Sequence, residues 1–186
     1  MFDVEDSPNR SDKLQRTLKD ELKGWSEDIL DRKIGQLSKI ISKMNNNMGP
    51  DIFGICEIEN RSVVERLVNS LAAGLHNHHE YKIAHADTQD ERGVDIALIY
   101  DSAKFNIEKN PQTGKDLVFS QFILKRVATR DILQVNFKSK TSGNRLVLIG
   151  NHWPSRRDGQ YESEPYRIVA GETLRKIKTR KVRLQS

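Results

Sequence analysis

Residues 50–60 have the sequence PDIFGICEIEN, in which a short apolar run leads directly into two carboxylates. The run from Asp51 to Cys56 predicts a buried strand, and Glu57 stands at its C-terminal end. A carboxylate at a strand end, beside a loop, is well placed to bind a hard cation such as Mg²⁺. The alternative is a solvated loop carboxylate, because acidic side chains are mostly exposed. Cys56 is predicted to be a buried small apolar residue.

Helical patterns flank this predicted strand on both sides. On its N-terminal side, Ser26 is expected to cap an amphipathic helix whose apolar residues recur as far as Met44, and Asn45–Asn47 are expected to end it. On its C-terminal side, Ser62 is expected to cap a second helix. Residues 1–24 are polar and contain several turn formers, so they are expected to form a loop or a loosely attached segment.

The second half of the chain is rich in predicted strands. Segments of strand-like composition occur at 81–85, 94–100, 117–124, 130–138 and 145–152. Ser142–Asn144 is typical of a hairpin turn between the last two. A polar loop from Pro154 to Glu164 precedes a final helix, for which Pro165 suits the first turn. Helices followed by a run of strands indicate an α+β fold with antiparallel pairing.

Two further residues on these strands could carry chemistry. Asp95 lies within an apolar strand, where a buried carboxylate must be paired or hydrogen-bonded, while an outward-pointing side chain is an equal alternative. His152 ends the last strand and begins the sequence His-Trp-Pro-Ser-Arg-Arg. Such a histidine could act as general acid or base, or could hold a phosphate oxygen when protonated. Arg156 and Arg157 could clamp a phosphate bidentately.

Composition narrows the class of partner. The 186 residues carry a net charge of +5, which suits a polyanionic partner such as nucleic acid. The basic run from Arg175 to Arg183 is predicted to be a solvated helix face, with weak attraction to a phosphate backbone as the second interpretation. A solvated turn is expected for His76, His78 and His79. One cysteine excludes an intrachain disulfide, no segment is apolar enough to span a membrane, and the acidic start does not have the pattern of a signal peptide.

Taken in order, these segments resemble the DNase I-like endonuclease/exonuclease/phosphatase superfamily, and within it a bacterial branch with the motif Asn-His-Trp-Pro-Ser-Arg. The matching segments are 2–9, 25–45, 50–60, 92–100, 129–133 and 151–156, followed by Glu164 and Arg167. Several motifs in the expected order are more specific than any one of them. The resemblance implies a four-layer αββα sandwich, of which this chain is expected to form a truncated part.

The resemblance also implies a role for each candidate residue. Glu57 would bind a Mg²⁺ or Mn²⁺ ion, and His152 would lie at the scissile phosphate with Asp95 orienting it. Three more residues would lie near the phosphate or support its loop: Asn151, Arg156 and Arg130. Phosphodiester hydrolysis requires a metal to withdraw charge, a base to activate water, and donors around the developing negative charge. We therefore expect Glu57 and His152 to converge on one pocket from neighbouring strand ends.

The chain departs from the family pattern in three segments. The superfamily has a first strand with an Asn near the metal, a later Gly-Asp-x-Asn segment and a closing Asp-His pair, and we do not find them at the expected places. Residues 25–186 are therefore expected to form a partial domain without the first strand and the C-terminal half, preceded by the polar segment 1–24.

The function expected from this pattern is metal-dependent, nuclease-like hydrolysis of DNA or another phosphodiester, with little activity in the partial domain alone. Two alternatives remain open at this stage. One is a non-catalytic nucleic-acid-binding module, to which the basic charge points. The other is a phosphatase or phosphodiesterase that acts on a substrate other than nucleic acid, because the superfamily includes such enzymes.

Overall fold

Helices and antiparallel strands make up the part of the chain that the computed structural model describes, namely residues 1–8, 10, 12–75, 79–88, 94–123, 131–156 and 159–183. The helices are α1 (Asp12–Leu18), α2 (Glu27–Ser42), α3 (Met44–Asn47), α4 (Arg61–Gly74) and α5 (Gln160–Arg183). The strands are β1 (Ile52–Ile58), β2 (Tyr81–His85), β3 (Asp95–Asp101), β4 (Phe105–Ile107), β5 (Val118–Gln121), β6 (Ile132–Ser139) and β7 (Arg145–Gly150). The predicted α+β class with antiparallel pairing is confirmed.

The first sheet, sheet A, has β3 at its centre, with β1 and β2 paired antiparallel on its two sides. Every residue of β3 is buried, because both faces of this strand are covered. Helices α2 and α4 cover one face, and Leu30, Leu67 and Ile99 belong to the buried cluster between them and the sheet. Each square ångström of apolar surface buried there stabilises the fold by roughly 25 cal/mol.

The second sheet, sheet B, is built around β6. Strand β7 pairs along one side of β6, while β4 and β5 pair with its other side at opposite ends. Ile96 and Leu98 of β3 share a buried cluster with Leu133 and Val135 of β6, so the two sheets pack face to face. The sheets pack tightly at Gly150, where an added Cβ would lie 2.8 Å from Cγ2 of Ile96.

Helix α5 covers the outer face of sheet B. Its buried residues Ala170 and Ile177 form a cluster with Ile132 of β6 and with Ile123. The layers therefore run helix, sheet, sheet, helix, which is the αββα order expected from the sequence. The ends of β1 and β7 meet where the two sheets face each other, and this is where the candidate residues lie.

The local turns follow from residues that tolerate left-handed backbone. Helix α2 ends at Ser42, and Asn45–Asn47 have φ values of 51°, 55° and 66°, so the predicted stop is confirmed. The predicted hairpin turn is also confirmed, since Gly143 has a φ of 71° between β6 and β7. Left-handed backbone at such positions is sterically costly for most other residues.

Two predictions about element boundaries are wrong, and so is one about burial. The second helix is capped by Asn60 instead of Ser62, because the Asn60 side chain accepts a hydrogen bond from the backbone N–H of Val63. The last helix begins at Gln160, so Pro165 lies inside it and not in its first turn. Cys56 is exposed, because it lies near the end of β1, an edge strand.

The N-terminal segment is also more ordered than predicted. It contains α1, and Asp3, Ser7 and Arg10 are buried. The prediction of a loop or loosely attached segment is therefore wrong, because it rested on polarity and could not anticipate partners far along the chain. No described helix is long and apolar enough to cross a membrane.

Candidate active site

Glu57 occupies an unusual backbone position at the end of β1. Its φ is +58°, and the register with β3 shifts between Cys56 and Ile58, so Glu57 is the extra residue of a β-bulge. A non-glycine residue in this region stores about 1–3 kcal/mol, and bulges of this kind often re-aim a side chain beside an active site. The Glu57 side chain is 58% exposed and therefore available to a ligand.

We expect Glu57→Gly to be more stable than Glu57→Ala by about 1 kcal/mol, because glycine adopts positive φ without steric cost. Chemical denaturation of the two variants would measure the difference. The matched control is the same pair at Lys82, an exposed position within β2, where glycine should be the less stable residue. Equal stability of the two Glu57 variants would show that the backbone there stores no strain.

His152 follows the end of β7 and reaches the same place. Its Nε2 atom lies 3.7 Å from Oε1 of Glu57, and its side chain is 23% exposed. The close packing of Gly150 on Ile96 brings this end of β7 against sheet A. The expected convergence of Glu57 and His152 from neighbouring strand ends is therefore confirmed.

Asp95 is buried, but its carboxylate has a different histidine as partner. Its Oδ2 lies 3.0 Å from Nε2 of His85, and its Oδ1 accepts a hydrogen bond of 3.0 Å from the backbone N–H of Thr88. These contacts are the ones that the structure shows for Asp95, and its expected role in orienting His152 stays a prediction.

The loop after β7 holds its own shape through Asn151. The side-chain nitrogen of Asn151 donates to the carbonyl of Ile149 at 3.0 Å, and its oxygen accepts from Nε1 of Trp153 at 3.3 Å. These contacts support the loop that carries His152. Arg156 is exposed on the same loop, while Arg130 and Arg157 lie outside the described residues.

A buried ion pair involves Glu59, two residues after Glu57. The carboxylate of Glu59 accepts from the guanidinium of Arg10, with Nε to Oε1 at 2.7 Å and Nη2 to Oε2 at 2.8 Å. The two side chains are 1% and 2% exposed. The sequence drew attention to Glu59 but gave no partner for it, because Arg10 is 49 positions away in a segment expected to be loose.

Two clusters of potential metal ligands lie elsewhere in the described chain. One consists of His85, Asp87 and Asp95, and the other of Asp51, His79 and Asp101. The second lies at the opposite end of sheet A from Glu57, since Ile52 at the start of β1 pairs with Tyr100. His79 was expected in a solvated turn but is buried, with Nδ1 only 2.7 Å from Oδ2 of Asp101.

His85 and Asp101 are residues that the sequence did not single out. His85 ends the predicted strand 81–85, so the available signal was a histidine at a strand end, the same signal that identified His152. Asp101 ends β3 and accepts from the backbone N–H groups of Glu80 and Ala103 as well as facing His79. These hydrogen bonds tie the segment before β2 to the end of β3.

The donor set at Glu57 fits a divalent cation of the hard type. Mg²⁺ is commonly held by one or two carboxylates, with water and substrate phosphates completing its octahedron. Glu57 supplies one exposed carboxylate. Glu59 does not compete for this role, because its oxygens are engaged by Arg10 and by the backbone N–H of Asp3.

Comparison with known proteins identifies the family. The model of the endonuclease/exonuclease/phosphatase family matches residues 1–183. The chain belongs to this family. Members of this family generally use divalent metals. No sequence among the curated proteins matches it.

Several solved structures are similar to this chain. Truncated Caenorhabditis elegans TDP2 is 19% identical with a TM-score of 0.56, and the match covers 88% of this chain and 54% of that one. A functionally unknown conserved protein from Enterococcus faecalis V583 is 13% identical with a TM-score of 0.49, covering 82% and 53%. The mannosyl-6-phosphatase Bt3783 of Bacteroides thetaiotaomicron VPI-5482 is 14% identical with a TM-score of 0.43, covering 70% and 45%. The chain thus spans about half the length of these relatives.

Proposed function

We propose that this endonuclease/exonuclease/phosphatase domain is a metal-dependent, nuclease-like phosphodiester hydrolase, with Glu57 as metal ligand and His152 at the scissile phosphate. One observation carries the proposal: the side chains of these two residues, 95 positions apart in sequence, lie 3.7 Å apart at an exposed β-bulge. A carboxylate and an imidazole at one opening are the groups that metal-assisted phosphoryl chemistry needs.

Each residue of the site has a distinct task in this proposal. A Mg²⁺ or Mn²⁺ ion, when bound, would neutralise charge on a nonbridging phosphate oxygen. Glu57 would hold that ion, and His152, when protonated, would donate a hydrogen bond to the phosphate. Asn151 keeps the His152 loop in place through Ile149 and Trp153. Arg156, exposed on this loop, would pair with a substrate phosphate.

We expect the 186 residues alone to hydrolyse phosphodiesters slowly. The Gly-Asp-x-Asn and Asp-His segments that the superfamily resemblance implies are not found after His152. In the related enzymes these segments would supply further ligands and donors around the phosphate. Metal binding is therefore a more direct test of the site than turnover.

The test of the proposal is Glu57→Gln. Removing the carboxylate charge should raise the Kd for Mn²⁺ by more than about tenfold, or 1.4 kcal/mol, because Glu57 supplies the exposed carboxylate beside His152. Isothermal titration calorimetry with MnCl₂ would measure it. The matched control is Glu65→Gln, which removes an exposed glutamate of α4, 52% exposed, and should leave the Kd unchanged. Wild-type affinity in Glu57→Gln would remove Glu57 from the mechanism.

The net charge of +5 supports DNA as the phosphodiester substrate and also favours a second candidate function, a non-catalytic nucleic-acid-binding module. DNA binding that weakens with salt, without Mn²⁺-dependent cleavage, would favour the binding module, because phosphate contacts release counterions. Cleavage of a small phosphodiester reporter but not of DNA would instead indicate a substrate other than nucleic acid.

A further inference from the structure

The left-handed backbone of Glu57 needs a support that outweighs its steric cost. Part of that support is visible in the backbone. The terminal ammonium group of Met1 donates to the carbonyl of Glu57, and the N–H of Glu59 donates to the carbonyl of Met1 at 3.0 Å. The N-terminal segment therefore hydrogen-bonds to the bulge residue Glu57 itself and to Glu59, two positions later.

The N-terminal segment is held in place by the Arg10–Glu59 pair. The guanidinium of Arg10 uses all five of its N–H groups, two of them for the Glu59 carboxylate. The other three bind the carbonyls of Asp3 and Glu5 and the side chain of Gln15. One buried side chain thus connects the strand end at Glu59 to three positions of the N-terminal segment.

The same network reaches the N-terminus of α4 through Asp3. Its backbone N–H donates to Oε2 of Glu59 at 2.8 Å, and its Oδ2 accepts from Asn60 at 3.3 Å. Asn60 in turn caps α4 by accepting from Val63 at 3.0 Å. Burial raises the pKa of Asp3, but hydrogen bonds from Ser7, Val4 and Asn60 and the Arg10 charge lower it more, so the carboxyl pKa lies below its ordinary value.

Loss of the bulge would change which way Glu57 faces. In the structure Cys56 pairs with Ile96 and Ile58 pairs with Asp95, so Glu57 has no residue opposite it on β3. In a regular strand Glu57 itself would pair with Asp95, because a shift of one residue exchanges the two faces of a strand. Its carboxylate would then turn toward the Asp95 side and away from His152.

We propose that Arg10 and Glu59 are positioning residues: their buried pair fixes the bulge that presents Glu57 to a divalent metal beside His152. Neither side chain reaches the metal itself, since both are almost fully buried. The inference rests on the proposed role of Glu57 as metal ligand. It extends the site from the exposed strand end to the first ten residues of the chain.

The variant that tests this is Glu59→Gln, which keeps the shape of the side chain. Its amide nitrogen would face the N–H of Asp3 and Nη2 of Arg10, which are both donors, so the network loosens. The Kd for Mn²⁺, measured by calorimetry, should rise about 10–100-fold, as found when supports of metal ligands are removed. Arg10→Lys, which cannot bridge both carboxylate oxygens, should change the Kd in the same direction and serves if Glu59→Gln does not fold.

A stability control separates positioning from general destabilisation. Leu71→Ala removes a fully buried side chain near the far end of α4 and should lower the melting temperature without changing the Kd for Mn²⁺. Wild-type affinity in folded Glu59→Gln and Arg10→Lys, together with weakened binding in Glu57→Gln, would overturn this inference and leave the proposed function intact. Wild-type affinity in Glu57→Gln would overturn both.

Discussion

Replacing Arg10 with methionine should lower the free energy of unfolding by about 3–5 kcal/mol, because the Glu59 carboxylate is then buried without its cation. Water cannot take the place of the guanidinium, since the two side chains are 1% and 2% exposed. The loss is large beside the total stability of a domain, which is typically about 5–15 kcal/mol. Urea unfolding of the wild type and the variant would measure it from the shift of the midpoint.

A double-mutant cycle shows whether this cost comes from the pair. Adding Glu59→Leu to Arg10→Met removes the buried carboxylate that Arg10→Met leaves unpaired. The loss of unfolding free energy in the double variant should therefore be smaller than the sum of the losses in the single variants, by about 0.5–3 kcal/mol. The exposed pair Arg61–Glu65, 53% and 52% exposed, provides the control, and Arg61→Met should cost less than about 1 kcal/mol. Strictly additive losses at Arg10 and Glu59 would mean that the two side chains do not interact.

The parts of the fold that the sequence predicted are those that depend on local pattern. The strand before Glu57 follows from its apolar run, and the hairpin at Ser142–Asn144 follows from its turn residues. The meeting of Glu57 and His152 followed from a family resemblance that supplied the long-range arrangement. No local pattern relates two residues 95 positions apart.

The parts that the sequence did not predict depend on which distant segments become neighbours. No residue near Glu57 in the sequence predicts the bulge. Glycine is the residue that usually marks a backbone position with positive φ, and position 57 is a glutamate. The contact between Asp95 and His85 was not predicted, because it forms only when β2, which carries His85, pairs beside β3 in the sheet. Residues 1–24 were predicted to be loosely attached because they are polar, but Arg10 in this segment forms a buried ion pair with Glu59.

Replacing Asp101 with alanine should also lower the free energy of unfolding by about 3–5 kcal/mol, through loss of a buried charged acceptor. Its side chain is fully buried and faces Nδ1 of His79 at 2.7 Å, and it accepts from the N–H groups of Glu80 and Ala103. Alanine leaves all three groups without this acceptor. The control is Asp116→Ala, which breaks a surface pair with Lys109 and should cost less than about 1 kcal/mol.

The pH dependence of a second variant, Asp101→Asn, tests whether the charge itself is responsible. Burial raises the pKa of Asp101, but hydrogen bonds from His79, Ala103 and Glu80 outweigh it and hold the pKa below the ordinary value of 3.8. A depressed carboxyl pKa stabilises the fold above the unfolded-state value, and this contribution is lost as the pH falls through the folded-state pKa. The difference in unfolding free energy between wild type and Asp101→Asn should therefore be largest near neutral pH and shrink below pH 3.8. A difference that stays constant from neutral pH to strong acid would show that Asp101 acts through its shape and not through its charge.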